Sequence, residues 1–167
     1  MDVTDNVILN HNEINHKIRR IAFQIYESNV DEKEVILAGI DSNGYIFAKK
    51  LKKELQKISD INPILCKVIM DKRNPQNPIK TSIAAEDYQN KSLVLVDDVL
   101  NSGTTLIYGV KHFLNVPLKK FKTAVLVNRN HKKYPVKADF KGISFSTSLH
   151  EHVNVVLDGK KFEVTLE

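Results

Sequence analysis

One cysteine, Cys66, occurs in the 167 residues, so no disulfide can form within the chain. It sits in an apolar run and reads as a buried, inert thiol. No apolar stretch approaches the roughly 20 residues that cross a bilayer. The polar N-terminus lacks the form of a signal peptide, and a cytoplasmic protein with no membrane partner is expected. Aromatic residues, 7% of the chain, are not interleaved with the lysines, which argues against a stacking platform for single-stranded nucleic acid. No internal repeat and no second-domain boundary is visible. Residues 1–167 are therefore expected to form one domain, long enough for a substantial core.

A net charge of +5 is a moderate excess that suits a phosphorylated substrate or a nucleic acid. Lysines cluster at Lys49-Lys50, Lys52-Lys53 and Lys57, and again at Lys119-Lys120 and Lys132-Lys133. Each cluster taken singly reads as a solvated face. His150 and His152 would share one face of a strand, but no further ligand lies near them in sequence. They read as exposed edge residues, and no histidine is assigned to a metal.

Ile14, Ile18, Ile21, Ala22 and Ile25 recur at helical spacing and predict a helix from near Asn10 to Ser28. Strands are expected over Glu34–Ile40, Ile64–Met70 and Thr123–Asn128. A helix is expected over Gly44–Lys57, burying Phe47, Ala48, Leu51 and Leu55. The β-α-β alternation implies an α/β fold with a mainly parallel sheet flanked by helices. Asp158-Gly159, between two apolar runs, marks a C-terminal hairpin. From Asp71 to Asn90 the chain is polar, carries Pro75 and Pro78, and is too irregular for a core element. Such a connection is either functional or a surface loop.

The most informative run is Leu93-Val94-Leu95-Val96-Asp97-Asp98-Val99-Leu100-Asn101-Ser102-Gly103-Thr104-Thr105. Four apolar residues predict a buried parallel strand, closed by two carboxylates. A hydroxyl-rich turn then opens an amphipathic helix through Leu106, Val110 and Leu114. Open α/β sheets bind ligands at the carboxyl ends of their strands. Backbone N–H groups at a helix N-terminus capture phosphate. An acid pair beside an anion nest suits a phosphorylated sugar. The plain alternative is an ordinary strand–turn–helix whose acids cap the helix. Gly39-Ile40-Asp41-Ser42-Asn43-Gly44 repeats the logic at another strand end, with glycine expected to permit a strained approach to a ligand.

The long run closely resembles the signature for phosphoribosyl pyrophosphate in type I phosphoribosyltransferases. A small hood over the sheet belongs to that fold. By this resemblance Asp97 and Asp98 hold the ribose hydroxyls and organise Mg²⁺, and Asn101, Ser102, Gly103, Thr104 and Thr105 wrap the 5′-phosphate. The loop of Asp41, Ser42, Asn43 and Gly44 resembles the pyrophosphate loop of the same family. Residues 71–90 correspond to a mobile flap, from which Lys72 and Arg73 bring charge to the pyrophosphate.

Beyond the signature, Ala124-Val125-Leu126-Val127-Asn128-Arg129-Asn130-His131, Pro135, Ala138-Asp139-Phe140, Gly142 and Thr147-Ser148 are similar to the branch of pyrimidine operon attenuation regulators and uracil phosphoribosyltransferases. Arg129 is placed among the substrate-binding residues on that basis. This branch implies transfer of ribose 5-phosphate to uracil or a related pyrimidine, with Mg²⁺. It also implies a homo-oligomer, a dimer or larger. The alternative within the branch is an RNA-binding, nucleotide-sensing regulator with weak or no catalysis. Several positions depart from the pattern. Asn43 stands where the adenine-specific and pyrimidine-operon branches both have arginine, Asn128 replaces an aspartate, Asn130 a glycine and Ile143 a lysine. Asn101 replaces an aspartate that is a candidate proton acceptor in 6-oxopurine enzymes, which points away from hypoxanthine and guanine.

Overall fold

A computed structural model describes residues 6–148 and 150–167. After a short strand β1 (Val7–Leu9), helix α1 runs from His11 to Glu27. Asn10 starts it through a reciprocal cap: its side chain accepts the Glu13 N–H at 2.9 Å, and its own N–H donates to Glu13 Oε1 at 3.1 Å. The stripe Ile14, Ile18, Ile21, Ala22 and Ile25 is buried, as its spacing predicts.

Strands β2 (Glu34–Ile40), β3 (Asn62–Ile69), β5 (Ser92–Leu100), β6 (Lys120–Arg129) and β7 (Phe140–Phe145) pair in parallel. The short strand β4 (Lys80–Thr81) adds antiparallel to β3. The spatial order is β4-β3-β2-β5-β6-β7. Succession runs outward from β2 to β3 in one direction and from β5 to β7 in the other. The order therefore reverses between β2 and β5, and a crevice opens outside their carboxyl ends. Helices α2 (Asp41–Ile58) and α4 (Thr104–Phe113) leave those two strands directly. The remaining helix, α3, is a single turn over Ala85–Tyr88. A separate sheet, ordered β1-β9-β8, joins the N-terminal strand to the hairpin of β8 (Val153–Val156) and β9 (Glu163–Leu166), and forms the hood. Gly159 adopts the left-handed backbone of the hairpin turn, φ 82°. No described helix is long and apolar enough to cross a membrane.

Several expectations need correction. Helix α2 starts at Asp41, three residues before Gly44, and Asp41 itself takes the left-handed backbone, φ 53°. Gly39 has no positive φ; a Cβ there would lie 2.5 Å from Tyr45 Cα, so close packing of α2 on β2 requires this glycine. Strand β5 continues through both carboxylates to Leu100, held by pairing with β6. Helix α4 stops at Phe113, leaving Leu114 as its cap, 63% exposed, rather than part of the buried stripe. The stretch after Asp71 does contain a core element. Tyr88 is buried and packs edge-on against Phe113, with ring centroids 5.1 Å apart. Cys66 is buried and unpaired, and burial pushes its thiol pKa up.

Candidate active site

Leu93 to Val96 are wholly buried between two helical layers, which carries Asp97 and Asp98 to the crevice at the reversal of strand order. Asp97 is 3% exposed. Its Oδ1 accepts the Asp98 N–H at 2.9 Å and lies 3.8 Å from Lys72 Nζ. Burial, then the neighbouring Asp98 charge, raises the Asp97 pKa well above the usual carboxylate range, and Lys72 opposes the shift. Asp98 Oδ1 accepts the Val99 N–H at 2.9 Å, and Asp98 Oδ2 accepts from Asn43 Nδ2 at 3.1 Å.

After Leu100 the chain turns sharply and α4 begins. Gly103 takes φ 90° there, and a Cβ would also meet Val136 Cγ1 at 2.7 Å. The Ser102 carbonyl accepts the N–H groups of Lys133 at 2.7 Å and Tyr134 at 3.1 Å, which pins the turn to the segment after β6. Ser102 Oγ and Thr104 Oγ1 share a hydrogen bond of 2.8 Å. No side chain caps α4 at its N-cap residue. Ser102 Oγ accepts the Thr104 N–H at 3.3 Å, and the other N–H groups of the first turn stand at the positive end of the helix dipole without intrahelical partners.

A cavity of about 250 Å³ joins these parts. Of the candidate binding and metal residues read from the sequence, Asn43, Lys72, Asp97, Asp98, Asn101, Ser102, Gly103, Thr104 and Thr105 line it. The others do not. Asp41 and Ser42 share the first turn of α2 with Asn43 but lie outside the lining. Arg73 is exposed, and its N–H donates to Asp71 Oδ1 in the turn of 71–77. Gly44 packs beneath the acid pair, where a Cβ would approach Val96 O to 2.9 Å and Asp97 Oδ1 to 3.2 Å. Gly44→Ala is thus expected to cost about 1–3 kcal/mol, the usual range for overpacking, as read by chemical denaturation. An unchanged midpoint would show that the backbone has room to relax.

Arg129 sits beside the cavity and works as a strap. Its Nη1 donates to Asn101 Oδ1 at 2.8 Å, Nε and Nη2 donate to Thr147 Oγ1 at 3.1 and 2.6 Å, and Nη2 also reaches the Glu151 carbonyl at 2.7 Å. The phosphate-type turn is thereby fastened to the segment entering the hood. Sequence reasoning missed the opposite wall, formed by His152, Val153, Asn154 and Val155. The histidine pair was the nearest signal, but it says nothing about a cavity until the hairpin is folded back over β5.

Residues 6–158 match the family model for the phosphoribosyl transferase domain. The chain belongs to this phosphoribosyltransferase family. Bifunctional protein PyrR of Fusobacterium nucleatum is 32% identical, covering 99% of this chain and all of the relative. PyrR of Bacillus pumilus is 33% identical over 91% of this chain and 90% of its own length. Both agree with the branch that the sequence resembles. The hypoxanthine phosphoribosyltransferase of Trypanosoma cruzi superimposes with a TM-score of 0.77 at 14% identity, covering 96% of this chain and 95% of that one. At such identity the likeness establishes the fold: the mainly parallel sheet with flanking helices is that of phosphoribosyltransferases. The enzymatic class is phosphoribosyl transfer.

Proposed function

We propose that this phosphoribosyltransferase moves the ribose 5-phosphate group of phosphoribosyl pyrophosphate to a nitrogenous base, uracil or a related pyrimidine first. The bond from C1 to the pyrophosphate oxygen breaks, a bond from C1 to the base nitrogen forms, and that nitrogen loses its proton. The observation that carries this reading is a single cavity lined by both an acid pair and the N-terminal turn of α4. Residues Asn101 to Thr105 take the 5′-phosphate, while Asp97 and Asp98 take the sugar hydroxyls. Among the described residues Lys72 is the one lysine or arginine lining the cavity, so the pyrophosphate meets its cation from residues 71–79. Asp41, Ser42, Gly44, Arg73 and Arg129 act from outside the lining.

Two lining carboxylates suit Mg²⁺, which keeps several waters and completes its shell with substrate oxygens. Among the described residues no group of three or more His, Cys, Asp or Glu forms a cage for a metal on its own. Asp97 and Asp98 would hold the ion, which would supply positive charge to neutralise the departing pyrophosphate. Positioning and charge stabilisation then carry the reaction, and no covalent nucleophile is needed.

The relatives' description as bifunctional favours a second reading, an RNA-binding regulator that senses nucleotides. Lys49, Lys50, Lys52 and Lys53 make no ion pair among the described residues and leave α2 basic. A cytoplasmic homo-oligomer fits either role. Incubating a panel of bases with phosphoribosyl pyrophosphate and Mg²⁺, while following pyrophosphate release, tests the assignment. Uracil-dependent release is expected; release with hypoxanthine or guanine alone would overturn the pyrimidine preference.

Within the expected flap of residues 71–90, the part before β4, residues 71–79, should close when both ligands bind, shielding the sugar from water. Its backbone amides are expected to gain protection in hydrogen exchange on adding Mg²⁺ and phosphoribosyl pyrophosphate. Equal protection in free and bound states would argue against a flap.

A further inference from the structure

The Asn43 side chain is turned inward. Both hydrogens of its amide are committed: Nδ2 lies 3.1 Å from Asp98 Oδ2 and 3.1 Å from the Val155 carbonyl. Those acceptors belong to β5, which carries the acid pair, and to β8, which forms the far wall of the cavity. Asp98 is oriented from both sides, by Val99 N–H on one oxygen and Asn43 on the other. We propose that Asn43 is a positioning residue that ties the Asp98 carboxylate to the hood, so that ligand capture at the acids and closure of the hood wall are one event.

A primary amide of this length is what the site needs. Aspartate would set an oxygen against two acceptors, and alanine would leave both without a donor. The hood's distal end is held separately, where the Phe162 N–H donates to His11 Nδ1 at 3.0 Å and Lys50 Nζ lies 3.9 Å above the Phe162 ring. Removing the Asn43 contact therefore loosens β8 over the cavity, while the Arg129 bond to the Glu151 carbonyl, the far end of the hairpin and its pairing with β1 remain. Linkage makes the effect reciprocal: if the tie favours ligand binding, the ligand must favour the tied state.

The inference rests on the proposed sugar-phosphate site, and the test separates the two. Hydrogen exchange is measured for the amides of Val153–Val156 and Glu163–Leu166 in the wild-type chain, Asn43→Ala and Asn43→Asp, with α1 amides reporting that each variant is folded. Without ligand, both variants should exchange these hood amides about fivefold faster than wild type, the lower end of ordinary coupling energies. With Mg²⁺ and phosphoribosyl pyrophosphate at concentrations that calorimetry shows to be saturating, the wild-type hood should slow by about fivefold and the variants by under about twofold. Unchanged ligand-free exchange in both variants overturns the tie. So does calorimetric binding that leaves the wild-type hood unaffected. Absence of calorimetric binding in every protein would instead refute the sugar-phosphate site, and the ligand-free comparison would still decide the role of Asn43.

Discussion

Asp97→Asn should make the protein more stable and nearly inactive. Its carboxylate is buried, faces a second carboxylate one residue away, and has only a distant ammonium to offset the charge. The folded chain holds this proton more tightly than the unfolded chain does. The stabilising contribution of the protonated group is therefore full below the ordinary carboxylate pKa and is lost as pH rises through the elevated folded value. Over that rise, ionising Asp97 weakens the fold. Asparagine keeps the acceptor oxygen for the Asp98 N–H and drops the charge, for an expected gain of about 1–2 kcal/mol. Thermal unfolding in metal-free buffer should show the variant's advantage growing from about pH 4 to pH 7. Turnover should fall by at least about 100-fold, as for loss of a principal electrostatic group. A variant less stable than wild type at pH 7 would mean that the carboxylate serves the fold rather than a ligand.

Arg129→Ala should produce the other large effect. It removes a planar cation bound to Asn101, Thr147 and the Glu151 carbonyl at once. Thr147 is buried, so its hydroxyl loses two charge-assisted bonds with little water to replace them. Hydrogen bonds to charged groups contribute about 1.5–3 kcal/mol each, and part of the network lies exposed, so a net loss of about 2–3 kcal/mol is expected. Because the strap fastens the phosphate-type turn to the segment entering the hood, kcat/KM should also fall by about 10²-fold, in line with loss of precise positioning. Lysine cannot reproduce the fork and should rescue neither property. Recovery of both by Arg129→Lys would show that charge alone matters there.

Elements whose physics is local were legible in the sequence. The α1 stripe and its Asn10 start, the limits of β2 and the hairpin around Asp158-Gly159 follow from spacing and turn chemistry. Strand β7 was not, because Gly142 sits inside it as an apparent breaker. In the folded chain that glycine is needed for contact: a Cβ there would lie 2.5 Å from Leu126 O. Tyr88 lies in a polar stretch and is buried through a contact remote in sequence, with Phe113.

The candidate site divides in the same way. Asp97, Asp98 and the 101–105 turn are contiguous, so one run of sequence displays them. Lys72 was read from resemblance. The inward turn of Asn43 and the wall from His152 to Val155 depend on a contact across 112 positions, which no local pattern encodes.

The central claim is that the crevice between β2 and β5 binds phosphoribosyl pyrophosphate through its acid pair. Calorimetric titration of that ligand with Mg²⁺ into the wild-type chain and into the Asp97→Asn, Asp98→Asn double variant tests it most directly. Saturable binding to the wild type and none to the folded double variant is the predicted result. Equal affinity in the two proteins would contradict it.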